Sequence, residues 1–101
     1  MRKITKKMLN AYLNEKAFKS ANTEVIIETR QDVGKVIIIT LHGFLIAQKE
    51  MGILYINNAG WFTNVTKERL NALPNVSICQ KNFKWYLNGK YWDGRLAEIK
   101  G

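Results

Sequence analysis

Four runs of strand-forming residues follow one another with connections too short for anything but tight turns. Residues 24–29 and 35–41 are rich in β-branched side chains, and residues 44–49 and 53–56 continue the pattern. Between them stand Gln31-Asp32-Val33-Gly34, His42-Gly43 and Lys49-Glu50-Met51-Gly52, all of them turn chemistry. Parallel strands need a crossover of about a dozen residues or more, so these segments can pair only as an antiparallel meander. The unbroken run Val36-Ile37-Ile38-Ile39 predicts a central strand covered on both faces, with the first helix as one cover. That run is far too short to cross a bilayer.

The flanks read differently. Residues 3–19 predict an amphipathic helix, with Ile4, Met8, Leu9, Tyr12, Leu13 and Ala17 near one stripe. Lys3, Lys6, Lys7, Asn10, Asn14 and Lys16 occupy the remainder, and Glu15 and Lys19 stand four apart in the favourable order. Ser20-Ala21-Asn22 marks the exit. A short second helix is expected over residues 65–73, capped by Thr63 or Asn64 and closed by Pro74, with Leu70 and Leu73 facing the core. Beyond it, residues 76–80, 83–87 and 91–92 return to strand character, and Asn88-Gly89 is a strong hairpin signal. Alternation sends Phe83, Trp85 and Leu87 into the core and Lys84 and Tyr86 to the other face. Residues 95–99 would extend this hairpin as an edge or a tail.

The expected fold is α+β: an N-terminal amphipathic helix, an antiparallel meander sheet, a short second helix and a C-terminal hairpin. A chain of 101 residues is one domain's worth. Residues 1–21 would hold the basic helix, and residues 22–101 a β-rich core.

Several chemistries are excluded by what the chain lacks. A single cysteine, Cys79, cannot bridge internally, and with one histidine, His42, it cannot assemble a zinc site. In Val76-Ser77-Ile78-Cys79 the thiol reads as inert and buried. His42 before Gly43 reads as a turn histidine. No GxGxxG or Walker-type loop and no metal-ligand pattern among the acids is present, so no enzyme, catalytic residue, metal or cofactor is expected. The start, Met1-Arg2-Lys3-Ile4-Thr5-Lys6-Lys7, is not followed by the apolar stretch of a signal peptide, and a reducing cytosolic setting is expected.

Charge sits at the two ends. Residues 1–19 carry six basic residues against one acid, and residues 67–101 seven against three, while residues 20–66 hold three against four. The formal total is +8. Such a surplus is either a solvated surface or an electrostatic footprint for phosphates. Around the second helix, the N-terminal N–H groups, with Thr63, Asn64, Thr66 and Lys67, could hold a phosphate, with Arg69 and Asn71 on a shared face. Ordinary capping explains the same residues. In the closing hairpin, Lys81, Lys84 and Lys90 alternate with aromatic residues, which would make a stacking platform for unpaired bases at about 1–3 kcal/mol per base. Two exposed rings there, Tyr86 with Tyr91 or Trp92, would equally serve a protein-binding hot spot.

The strings Leu41-His42-Gly43, Ile46-Ala47, Ala59-Gly60-Trp61, Thr66-Lys67-Glu68-Arg69-Leu70-Asn71-Ala72-Leu73-Pro74, Gln80-Lys81 and Trp85-Tyr86-Leu87-Asn88-Gly89-Lys90-Tyr91-Trp92-Asp93-Gly94 carry a likeness. Over about residues 22–94 the chain resembles a group of small, mostly uncharacterised proteins of tailed bacteriophages. The resemblance implies a viral accessory protein acting inside a bacterial cell, in the host cytoplasm, with residues 66–71 as its signature helix. The expected activity is nucleic-acid binding, DNA or RNA, with phosphates met by Lys3, Lys6, Lys7, Thr66, Lys67, Arg69, Asn71, Lys81 and Lys84. Tyr86 and Trp92 would stack on bases. The rival is an inhibitor or adaptor docking on an acidic host protein of the transcription, replication or defence machinery. Neither reading involves a membrane, and the edge of the closing hairpin could serve a homodimer.

Overall fold

The computed structural model describes residues 1–100, and the β-branched runs pair as their short connections demand. A helix, α1 (Lys3–Leu13), leads into β1 (Phe18–Ser20), β2 (Thr23–Arg30), β3 (Gly34–Leu41), β4 (Phe44–Glu50) and β5 (Ile53–Ile56). A second helix, α2 (Asn64–Asn71), precedes β6 (Ile78–Lys81), β7 (Lys84–Leu87), β8 (Lys90–Tyr91) and β9 (Ala97–Ile99). The strands form a six-stranded sheet in the order β1-β2-β3-β4-β5-β9 and a three-stranded sheet in the order β6-β7-β8. Every pairing is antiparallel. The architecture is the expected α+β one, with two local corrections.

The first helix is shorter than its apolar stripe. It stops at Leu13 because Glu15 turns to φ +55°, and the Lys16 N–H reaches back to the Ala11 carbonyl at 2.9 Å while the Glu15 N–H bonds Tyr12. This is the left-handed helix ending that usually employs glycine. Phe18, inside the span expected to be helical, instead lies in β1 opposite Val25. Glu15 therefore has no helical partner in Lys19, and its carboxylate lies 3.7 Å from Lys35. Leu13 is exposed, and Thr5, Met8, Ala11 and Tyr12 form the buried stripe.

Residues 97–99 do not extend the closing hairpin. They return to the main sheet and pair with β5, Ala97 opposite Ile56 and Ile99 opposite Leu54. The chain end thus covers the edge that the meander would otherwise leave bare.

The central strand β3 is buried on both faces, as expected, but only one of them belongs to the common core. Ile37, Ile39 and Leu41 join Met8 and Tyr12 of α1, Leu70 of α2, and Trp85 and Trp92 in a common core. Val36 and Ile38 point the other way, outside that core, and are buried by cross-strand neighbours Ile26, Glu28, Gln48 and Glu50. By alternation the same outer face carries Glu24, Ile53, Tyr55 and Glu98. It is an isoleucine-centred face edged with carboxylates, of which Glu28 is paired with Arg30 and Glu24 stands opposite Lys19.

Candidate nucleic-acid interface

The second helix is built to hold the first. Thr63 caps α2, its Oγ1 accepting the Thr66 N–H at 3.2 Å, and the two hydroxyls lie 2.9 Å apart. Thr66 is fully buried by this arrangement, so it offers nothing to a phosphate. Arg69 is 2% exposed. Its Nε donates to Thr23 Oγ1 at 3.0 Å and its Nη1 to Thr5 Oγ1 at 2.9 Å, and it pairs with the Glu68 carboxylate. The expected phosphate contact at Arg69 is therefore corrected: the guanidinium is consumed inside the protein. Asn71 is exposed, but its amide is already engaged within the fold. Its amide bonds both polar groups of the Ile78 backbone, accepting from the N–H at 2.6 Å and donating to the carbonyl at 3.1 Å, and so splices the end of α2 to the start of β6.

Glu68 completes the joint with α1. It accepts from Thr5 Oγ1 and from the Arg2 N–H at 3.3 Å. Burial alone would raise its pKa. The hydrogen bonds from Thr5, Arg2 and Arg69, together with the Arg69 charge, outweigh this and hold the carboxyl below its ordinary value. The start of α1, with exposed Lys3, Lys6 and Lys7, is thereby moored beside α2 and not across the molecule from it. Lys67 extends from α2 to β6, donating to Gln80 Oε1 at 2.9 Å with its ammonium 5.7 Å from the Trp85 ring centre.

The three-stranded sheet has one covered and one open face. Ile78 and Trp85 are buried on the covered side, where Trp85 packs against Trp92 at 6.2 Å between ring centres. Trp92 is 7% exposed and its Nε1 donates to the Arg95 carbonyl at 2.8 Å. The expected base-stacking role at Trp92 is thus overturned, because the ring and its polar edge are both spent internally. Its neighbour Tyr91 is the outward one, 63% exposed and directly opposite Tyr86, with the rings edge-to-face at 6.2 Å.

The open face therefore displays Tyr86 and Tyr91 beside Lys81 and Lys84, which stand directly opposite each other across the β6–β7 hairpin. Like charges in that position repel. Among the described residues, neither lysine is in ion-pair contact with a carboxylate. Cys79 lies on the same face opposite Tyr86 and is exposed, not buried as its sequence neighbours suggested. A shallow groove of about 410 Å³ runs between Cys79, Lys81, Asn82, Tyr86 and Gly89.

Phe83 breaks the alternation altogether. It is not a core residue but half of a two-residue loop, Asn82-Phe83, and is 95% exposed. The period-two reading missed it because β7 starts at Lys84. The sequence signal for a turn was there, in an asparagine at the position that Asn88 fills in the next hairpin.

A second exposed aromatic group went unnoticed in the sequence. Trp61 lies 6.0 Å from the His42 ring and 6.3 Å from Phe44, at the β3–β4 turn, with Phe62 exposed beside it. No helix of the described chain is long and apolar enough to cross a membrane.

The fold and its open, lysine-flanked face define a small two-sheet α+β protein, and the family comparison places it among phage proteins. The chain belongs to the Kyanoviridae Gp96 protein family, whose model matches residues 1–98. That match takes in the basic first helix, which the resemblance in residues 22–94 left out. No curated protein and no solved structure matches the chain.

Proposed function

We propose that this chain is a phage-encoded accessory protein that binds nucleic acid in the cytoplasm of the bacterial host, acting by binding and not by catalysis. The observation that carries the reading is the open face of the β6–β7–β8 sheet, where Tyr86 and Tyr91 stand beside the facing pair Lys81 and Lys84. Rings of this kind stack on unpaired bases, and the two ammonium groups gain from any polyanion that relieves their repulsion. Lys3, Lys6 and Lys7 on α1, with Lys67 on α2, supply a second group of cations, and Lys67 meets this sheet on its other face, at Gln80 and Trp85.

The test is fluorescence anisotropy with a labelled oligothymidylate across a salt series. Contacts from Lys81 and Lys84 alone give a log–log slope of about −1.4, and engagement of all six named lysines brings it to about −4. Binding that ignores salt, or no binding in low salt, rejects the reading.

A second reading is supported by the exposed group of Phe44, Trp61 and Phe62, which has the residue types of a protein-binding hot spot. On this reading the protein is an adaptor or inhibitor of an acidic host protein. Pull-down from host lysate after nuclease treatment separates the two: one stoichiometric protein recovered favours the adaptor.

A further inference from the structure

The hairpin tip at Phe83 is built against the chain's own preference. In four two-residue loops both central residues have positive φ: His42-Gly43, Met51-Gly52, Asn82-Phe83 and Asn88-Gly89. Three of them place glycine second, the residue that reaches this conformation without a steric penalty. The fourth places a phenylalanine there at φ +66°. For a bulky side chain this is an outlier. Burial of the ring would offset the strain, but Phe83 is 95% exposed and is absent from the core and its partly buried margin. Nothing within the fold packs on the ring, so a strained and exposed phenylalanine at this tip points to use in binding.

The partner's chemistry follows from the flanks. Phe83 is bracketed by Lys81 and Lys84, and the adjoining face bears Tyr86 and Tyr91. An apolar ring between two ammonium groups matches a flat apolar surface bordered by negative charge on both sides. A nucleobase between its two backbone phosphates has that form.

We infer that Phe83 is a base-stacking finger, inserted against an unpaired base while Lys81 and Lys84 hold the flanking phosphates. The inference rests on the nucleic-acid reading above and narrows it to single-stranded segments. Duplex DNA keeps its bases stacked and offers the finger no face without unstacking.

Anisotropy with a labelled oligothymidylate and with a labelled duplex tests it, using the full chain and the variants F83G and F83W. Asn-Gly is the preferred pair for this turn, so F83G is expected to fold and to melt at or above the wild-type temperature. F83G should bind oligothymidylate about 10-fold more weakly or worse, with the salt slope unchanged, and F83W should recover the affinity. Duplex binding should be the same in all three. If wild type binds with a salt slope but F83G binds equally well, the finger is wrong and the nucleic-acid reading stands. If wild type shows no salt-dependent binding, both fall, and an apolar pocket on an acidic protein becomes the ring's destination. An F83G that loses oligothymidylate and duplex alike also overturns the stacking role.

Discussion

Thr5 and Arg69, 64 residues apart in the chain, meet in the interior, where Arg69 Nη1 donates to Thr5 Oγ1 at 2.9 Å. The same hydroxyl donates to Glu68, so one threonine bridges a cation and an anion on α2 from its seat on α1. Arg69→Met removes the cation, so Glu68 keeps Thr5 and the Arg2 N–H but loses its counter-charge, and the Thr5 and Thr23 hydroxyls each lose the donor they accept from. A loss of about 3 kcal/mol is expected, read from the urea midpoint at unchanged m-value. A loss under about 0.5 kcal/mol would show that the buried cation holds nothing together.

Acid should loosen the same joint. Glu68 has a folded-state pKa below its ordinary 4.5, so the unfolded chain binds its proton first as pH falls. Its contribution is fully present above that ordinary value, shrinks below it, and is gone once pH has fallen through the folded value. Thermal midpoints measured from neutral pH downward should decline across this window, and Glu68→Gln should flatten that part of the curve. An equal decline in both proteins would place the acid sensitivity elsewhere.

Asn71 closes a second joint. Its amide makes both hydrogen bonds to the buried Ile78 backbone, and Asn71→Ala leaves that N–H and carbonyl without partners. The expected loss is about 1–3 kcal/mol in chemical denaturation. Amide exchange at Ile78 should accelerate more than exchange in β3, which localises the effect.

Cys79 is a ready reporter of the open face. Being exposed, its thiol should react with Ellman's reagent in the native protein without denaturant. Opposite Tyr86, it lies under any strand that stacks there. Saturating oligothymidylate should slow the reaction several-fold. Tight binding that leaves the rate unchanged would move the interface off this sheet.

The parts of the molecule legible in the sequence are those whose causes are local. β2 to β5 announce themselves through β-branched runs and through turn pairs such as Met51-Gly52, and Asn88-Gly89 marks its hairpin directly. The end of α1 was hidden because Glu15 takes a left-handed conformation that sequence normally signals with glycine. β9 was hidden because three residues find their partner some forty positions back, at Ile56. Arg69 reads as a surface charge on any helical wheel, and only the long-range approach of Thr5 and Thr23 explains its burial. At the candidate site, strand alternation does put Lys84 and Tyr86 on the face opposite Trp85. The choice between Tyr91 and Trp92 depended on which side of a two-residue strand faces the core, and that is a matter of tertiary packing.

The carboxylates of Glu24, Glu28, Glu50 and Glu98 share the outward side of the six-stranded sheet, whose inward side shares its core with the small sheet. On the outward side Arg30 is ion-paired with Glu28 and Lys19 stands opposite Glu24, so two of the four acids are met by cations in place. On the proposed reading, a strand bound at the small sheet would leave the aliphatic wall of the large sheet facing away from it, free for a second contact.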